Sequence, residues 1–139
     1  MIDLEQVSIM VRDIEKYLSD LEAMGINSKK DLEEREKYYA LSMIVFAVMN
    51  RAIDIGNELI SGSEKIQLPA TYKETFEILS KNRIISKETE LHMISLMKYR
   101  NAIAHNYYQI SNDEIYSLKN KIQNVRAFVS EIKKYAGVR

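Results

Sequence analysis

The chain has 139 residues, of which 46% are apolar, and its 20 basic and 20 acidic side chains leave no formal net charge. That composition fits one soluble globular domain over residues 1–139 with a packed core, and it excludes a basic tail or arm, so any nucleic-acid role has to rest on a local cluster. The absence of cysteine excludes disulfide scaffolds, Cys-ligated zinc, iron–sulfur clusters and thiol catalysis, and points to a reducing, cytoplasmic setting.

Asp3 and Glu5 stand where a signal peptide would carry basic residues, and the longest apolar stretch, Ala40 to Met49, is about half of what a membrane span needs. No membrane association is therefore expected. Four glycines and one proline leave little to break helices, while Leu, Ile, Met, Glu, Lys and Ala favour them throughout. The expected fold is all-α, an antiparallel bundle of four to five helices.

In chain order, Val7, Met10, Ile14, Leu18 and Leu21 form the stripe of a first amphipathic helix from about Asp3 to Met24, stopped by Gly25. Ser28 and Asp31 resemble a capping box, which predicts a long second helix running to about Ile60. Its charged start, Lys29 to Lys37, reads as a solvated face. Its apolar middle, with Leu41, Ile44, Phe46, Val48, Met49, Ile53 and Ile55, reads as the buried spine of the domain. After the breaker-rich stretch from Ser61 to Pro69, a short helix from Thr71 to Lys81 packs Phe76, Ile78 and Leu79. A fourth helix from about Ser86 to His105 presents Leu91, Ile94 and Met97. The last helix, capped by Ser111 with Glu114, runs to Gly137.

Most site chemistries lack their residues: there are only two histidines, His92 and His105, and no metalloprotease, P-loop, nucleophile-elbow or EF-hand pattern. No metal and no cofactor is expected. One segment differs. From Tyr99 to Tyr108 it gathers Arg100, Asn101, His105, Tyr107 and Tyr108 at the end of a helix. Histidine, with an ordinary pKa of about 6.5, can move a proton to or from a ribose hydroxyl or leaving oxygen, and an arginine fork matches phosphate oxygens. Tyrosine can stack on a base or donate a hydrogen bond. Together these groups suit metal-independent cleavage of RNA, in which the 2′-hydroxyl is the internal nucleophile. A purely structural alternative stands beside this: Arg100 paired with an acid of the second helix, His105 set against the helix C-terminal dipole, and the tyrosines packed. At about 100° per residue, Arg100 and Tyr107 share an azimuth while His105 lies about 140° from Arg100, so a site shared between two copies is the simpler geometry.

Arg100, His105 and Tyr107 match the R-x4-H-x-Y motif of the HEPN superfamily, with Asn101 in its R-N form. Ile53-Asp54-Ile55-Gly56-Asn57 resembles the I-D-x-[AG]-N stretch of its HepT branch. Pro69, Tyr72, Glu74, Phe76 and Leu79 resemble that branch's P-x-x-Y-x-E-x-F-x-x-L element. The likeness spans roughly Tyr38 to Tyr135. It implies a HEPN-type bundle that forms a homodimer with two motifs facing one cleft. It further implies a ribonuclease toxin of a type VII HepT–MntA toxin–antitoxin system, acting on RNA and neutralised by a minimal nucleotidyltransferase antitoxin that transfers AMP to Tyr107. By the same resemblance, Arg100, His105 and Tyr107 are catalytic, and Asn101 and Asp54 are supporting. The rival expectations are a non-catalytic HEPN module that binds nucleotide or partner, and a plain dimeric scaffold.

Overall fold

A computed structural model describes residues 1–63, 68–106 and 110–138, with the side chain of Asn106 left aside. The described residues contain no strand. Six α-helices, α1 (Leu4–Ala23), α2 (Arg35–Ser61), α3 (Tyr72–Lys81), α4 (Lys87–Asn106), α5 (Asn112–Lys121) and α6 (Val125–Ala136), surround one continuous apolar core. Because a single turn of 3₁₀ helix (Ile122–Asn124) joins α5 to α6 without a loop, the two count as one member, and the bundle has five. The all-α expectation holds.

α1 begins where Asp3 accepts a hydrogen bond from the Gln6 N–H at 3.1 Å, and all five residues of its predicted stripe are buried. Gly25 follows in the left-handed region, at φ 69°. The predicted long second helix is instead two elements. Asp31 accepts from the backbone N–H groups of Asn27 and Ser28, which hold its carboxyl below the usual carboxylate range, but the turn they close is a 3₁₀ helix, Lys29–Glu33. The chain then passes through extended Glu34 before α2 starts. Leu32 and Tyr38 explain the break. Both are fully buried, yet in one unbroken helix residues six apart would point about 120° away from each other. The charged face around Leu32 is exposed as expected, and Lys29 pairs with Asp113 at the start of α5.

α2 is the spine. By length and mean hydropathy, 1.3 over its most apolar window, it could cross a membrane, which the longest unbroken apolar run did not suggest. Half of that window is buried inside the bundle, however, with Leu41, Val45, Val48, Met49, Ala52 and Ile55 essentially inaccessible. Burial of each of these side chains larger than alanine contributes about 1.5–3 kcal/mol, so α2 is accounted for as a core helix.

α3 crosses α2 at Gly56. A Cβ there would lie 2.6 Å from Thr75 Cγ2. Thr75 cannot easily yield: it is buried, and its hydroxyl lies within bonding distance of both Asn57 Oδ1 (3.1 Å) and the Thr71 carbonyl (3.2 Å). Gly56→Ala is therefore expected to destabilise the fold by about 1–3 kcal/mol despite alanine's better helix propensity, lowering the melting temperature followed by circular dichroism by about 4 °C per kcal/mol. An unchanged or raised melting temperature would refute the close approach.

α4 departs from its predicted register. Leu91 is 56% exposed and Ile94 only partly buried, while Met97 is buried as predicted, together with Thr89, Glu90, Met93, Leu96 and Ile103. Buried Glu90 is opposed by desolvation, but hydrogen bonds from Lys87 and Ser80 outweigh it and hold its pKa below the ordinary value. The predicted last helix is also divided, by the 3₁₀ turn. Winding at three residues per turn stacks positions i and i+3, which keeps Ile122 and Val125, both fully buried, on one side. Ser111 caps α5 by accepting from Glu114 N–H at 3.2 Å, and Gly137 ends α6 at φ 70°, both as expected.

Candidate functional site

Arg100 lies on the inward face of α4. Met93, Leu96, Arg100 and Ile103 follow one another at steps of three and four residues, so the arginine occupies an inward-facing position between the buried Leu96 and Ile103. That placement carries its guanidinium to α2 and α3. Its Nε–H donates to Asn50 Oδ1 of α2 at 3.0 Å and its Nη1 to Asn101 Oδ1 at 3.2 Å. Its Cζ is 4.8 Å from the ring centroid of Tyr72 on α3 and 5.3 Å from that of Phe46 on α2. Rings so placed attract the cation while shielding it from water.

The structural alternative for Arg100 is thus not the one that forms. Among the described residues no carboxylate is within ion-pair distance of it, and the α2 partner is a neutral amide. Arg51 and Arg126, by contrast, each reach acids: Asp13 and Asp54 in the first case, Glu22 in the second. The positive charge of Arg100 is oriented but, among the described residues, not neutralised.

Asn101, the next residue in the chain, meets Arg100 through the Nη1 bond. His105 is exposed and also lies within α4, which continues to Asn106, so the separation of about 140° from Arg100 persists within one chain. Tyr107 and Tyr108 lie outside the described residues. The chain returns at Ile110, whose carbonyl accepts from the buried Tyr38 hydroxyl, while Arg35 stacks on Tyr38 at 4.0 Å and donates to Asn112 at 3.3 Å. Burial pushes the Tyr38 hydroxyl's pKa up. His92 is half-buried and away from this cluster on the helix.

Asp54 is not brought to Arg100 by any contact: it is exposed and pairs with Arg51 at 3.3 Å. The neighbouring Gly56 and Asn57 serve the α2–α3 crossing. The Pro69 to Leu79 element is divided in its duties. Thr71 caps α3 by accepting from Glu74 N–H, Glu74 reaches back to Ala70 N–H at 2.8 Å, Phe76 packs edge-to-face on Phe128, and Tyr72 faces Arg100. Sequence reasoning missed Asn50, Phe46 and Tyr72 as neighbours of the arginine. The i, i+4 spacing of Phe46 and Asn50 puts them on one face of α2, but nothing local says that α4 lies opposite. Among the described residues no three His, Asp or Glu side chains gather as a metal cage.

The family model for ribonuclease HepT-like proteins matches residues 14–132. The chain belongs to the HepT-like family of the HEPN superfamily. Its fold is shared with solved structures of low sequence identity. YutE of Bacillus subtilis, a cytosolic protein of unknown function, superposes with a TM-score of 0.82 at 21% identity, over 96% of this HepT-like chain and 90% of YutE. The tri-AMPylated HEPN toxin of Shewanella oneidensis, in complex with its MNT antitoxin, superposes with a TM-score of 0.83 at 15% identity, over 96% and 99% of the two chains. A toxin–antitoxin structure with AMP-PNP gives 0.80 at 16% identity, over 96% of this chain and all of that one. No protein of curated function matches the HepT-like chain in sequence.

Proposed function

We propose that this HepT-like chain is a metal-independent endoribonuclease, the toxin of a type VII HepT–MntA pair, acting in the cytoplasm on RNA and held in check by a minimal nucleotidyltransferase that transfers AMP to Tyr107. The observation that carries the reading is the state of Arg100: half-buried against two rings, oriented by neutral amides, and not paired with a carboxylate among the described residues. A guanidinium that only braced two helices would gain more from an acid, whereas one that must meet a phosphate needs its charge kept.

In the reaction the ribose 2′-oxygen attacks the adjacent phosphorus, and the bond to the 5′-oxygen breaks. A proton leaves the 2′-hydroxyl and a proton reaches the departing 5′-oxygen. His105 moves protons, and Arg100 stabilises the extra negative charge on the five-coordinate phosphorus. Asn101 steadies Arg100. Asp54 keeps no role in the chemistry in this reading beyond supporting α2 through Arg51.

Two proton transfers on opposite sides of one phosphorus, with a single motif histidine per chain, favour a site completed by a second copy. A surface suited to that copy adjoins the motif: Met43, 70% exposed, borders a shallow apolar depression with Phe46, Ile103 and Ala104. Light scattering at micromolar concentration is expected to give a dimer, and Met43→Lys is expected to weaken it by at least about tenfold in Kd. A stable wild-type monomer would count against the shared site. The activity itself is tested by incubating the purified protein with total RNA in EDTA, where wild type should cleave and His105→Ala should not. Tight nucleotide binding without cleavage would favour the non-catalytic module.

A further inference from the structure

We infer that Asn50 is the positioning residue of Arg100: it sets the plane of the guanidinium while leaving its charge available, a role that rests on the reading of Arg100 as the phosphate-binding group. Asn50 and Phe46 stand four residues apart on α2, so one helix face offers the arginine a ring and an amide oxygen, and Tyr72 of α3 adds a second ring. A guanidinium can meet a phosphate along either of two edges, Nε with Nη2 or Nη1 with Nη2. The 3.0 Å bond from Nε to Asn50 occupies the first edge. Because Nε has a single hydrogen and each Nη has two, Nη1 can hold Asn101 and still join Nη2 in meeting phosphate through the terminal edge.

The chemical identity of the acceptor matters as much as its position. Aspartate is isosteric with asparagine and would hold the same Nε–H, but it would also cancel the charge the phosphate has to feel, as Asp13 and Asp54 do beside Arg51. Alanine would keep the charge and release the orientation. The two substitutions thus separate functions that a merely structural contact would not separate.

The test uses the purified full-length chain and a fluorophore–quencher single-stranded RNA of mixed sequence. Asn50→Ala is expected to lower kcat about 10- to 100-fold with KM within about threefold, since orientation is lost and charge is not. Asn50→Asp is expected to lower kcat and raise KM by about tenfold each, because the offset charge is felt by the bound phosphate and by the transition state, and both effects should shrink at high salt. In parallel, nitrogen-15 spectra of the arginine Nε–H groups should show Arg100 exchanging slowly with water in wild type and in Asn50→Asp, and at least about tenfold faster in Asn50→Ala. Wild-type kcat in Asn50→Ala, or wild-type KM in Asn50→Asp, would overturn the assignment. If wild type cleaves no RNA, the proposed function fails on its own, and the spectra alone decide the positioning: equal exchange in wild type and Asn50→Ala overturns it. Should Asn50→Ala fold poorly, the isosteric aspartate variant still carries the KM and salt measurements.

Discussion

Arg100→Ala and His105→Ala are each expected to reduce RNA cleavage at least about 100- to 1,000-fold and to abolish growth inhibition, while the helical circular dichroism spectrum is retained. His105 is exposed, so its loss removes almost no packing. Arg100 gives up two hydrogen bonds and two ring contacts, which should cost about 1–2 kcal/mol, far less than emptying a core position. Arg100→Lys should fall nearly as far as alanine in activity. An ammonium keeps the charge, but it cannot hold Asn50 through one nitrogen and present two others to a phosphate. Activity surviving either alanine variant would show the proposed roles to be wrong, and a collapse of helicity would restore the structural reading of the motif. A distinct outcome, in which two inactive variants mixed together regain activity, would support the site shared between copies, since each copy could supply what the other lacks.

Tyr107→Phe is expected to escape the antitoxin's chemistry altogether. In the proposed transfer, the Tyr107 oxygen would attack the α-phosphorus of ATP, forming an O–P bond as the bond to the β-phosphate breaks, pyrophosphate leaves and the hydroxyl proton is released. Phenylalanine has no oxygen to attack. The attached AMP brings one negative phosphodiester charge and a bulky nucleoside to the motif, where Arg100, which no carboxylate among the described residues pairs, is the natural partner for that charge. Modification should therefore silence the nuclease without unfolding it. Mass spectrometry after incubation with the nucleotidyltransferase and ATP checks this directly, with Tyr108→Phe expected to remain modified and controllable. AMP found on another residue, or toxicity suppressed with no AMP anywhere, would overturn the account and favour occlusion by the bound partner.

The sequence by itself determined the class of fold and the family. Both depend on short-range patterns: apolar residues at three- and four-residue steps, Ser111 with Glu114, Gly25 and Gly137 past helix ends, and the R-x4-H-x-Y spacing itself. It went astray where local signals were contradicted by burial. A capping pattern at Ser28 and Asp31 promises a helix start and is silent on whether the helix is α or 3₁₀. Only the need to bury both Leu32 and Tyr38 decides that. Leu91 belongs by type to a core stripe, yet the face that buries Met93, Leu96, Met97 and Ile103 turns Leu91 outward and carries Glu90 inward, where Lys87 and Ser80 hydrogen-bond it.

The setting of Arg100 was decided by tertiary structure alone. Its partners stand 50 and 28 residues away, on α2 and α3, and hydrogen bonds and cation–ring contacts across such separations leave no trace in local periodicity. In hindsight the steps from Met93 and Leu96 to Arg100 and Ile103 place the arginine on an inward face. What it meets on α2, a neutral amide rather than a carboxylate, follows only from the way α4 packs across α2, because the charge state of a partner is a property of which helices touch.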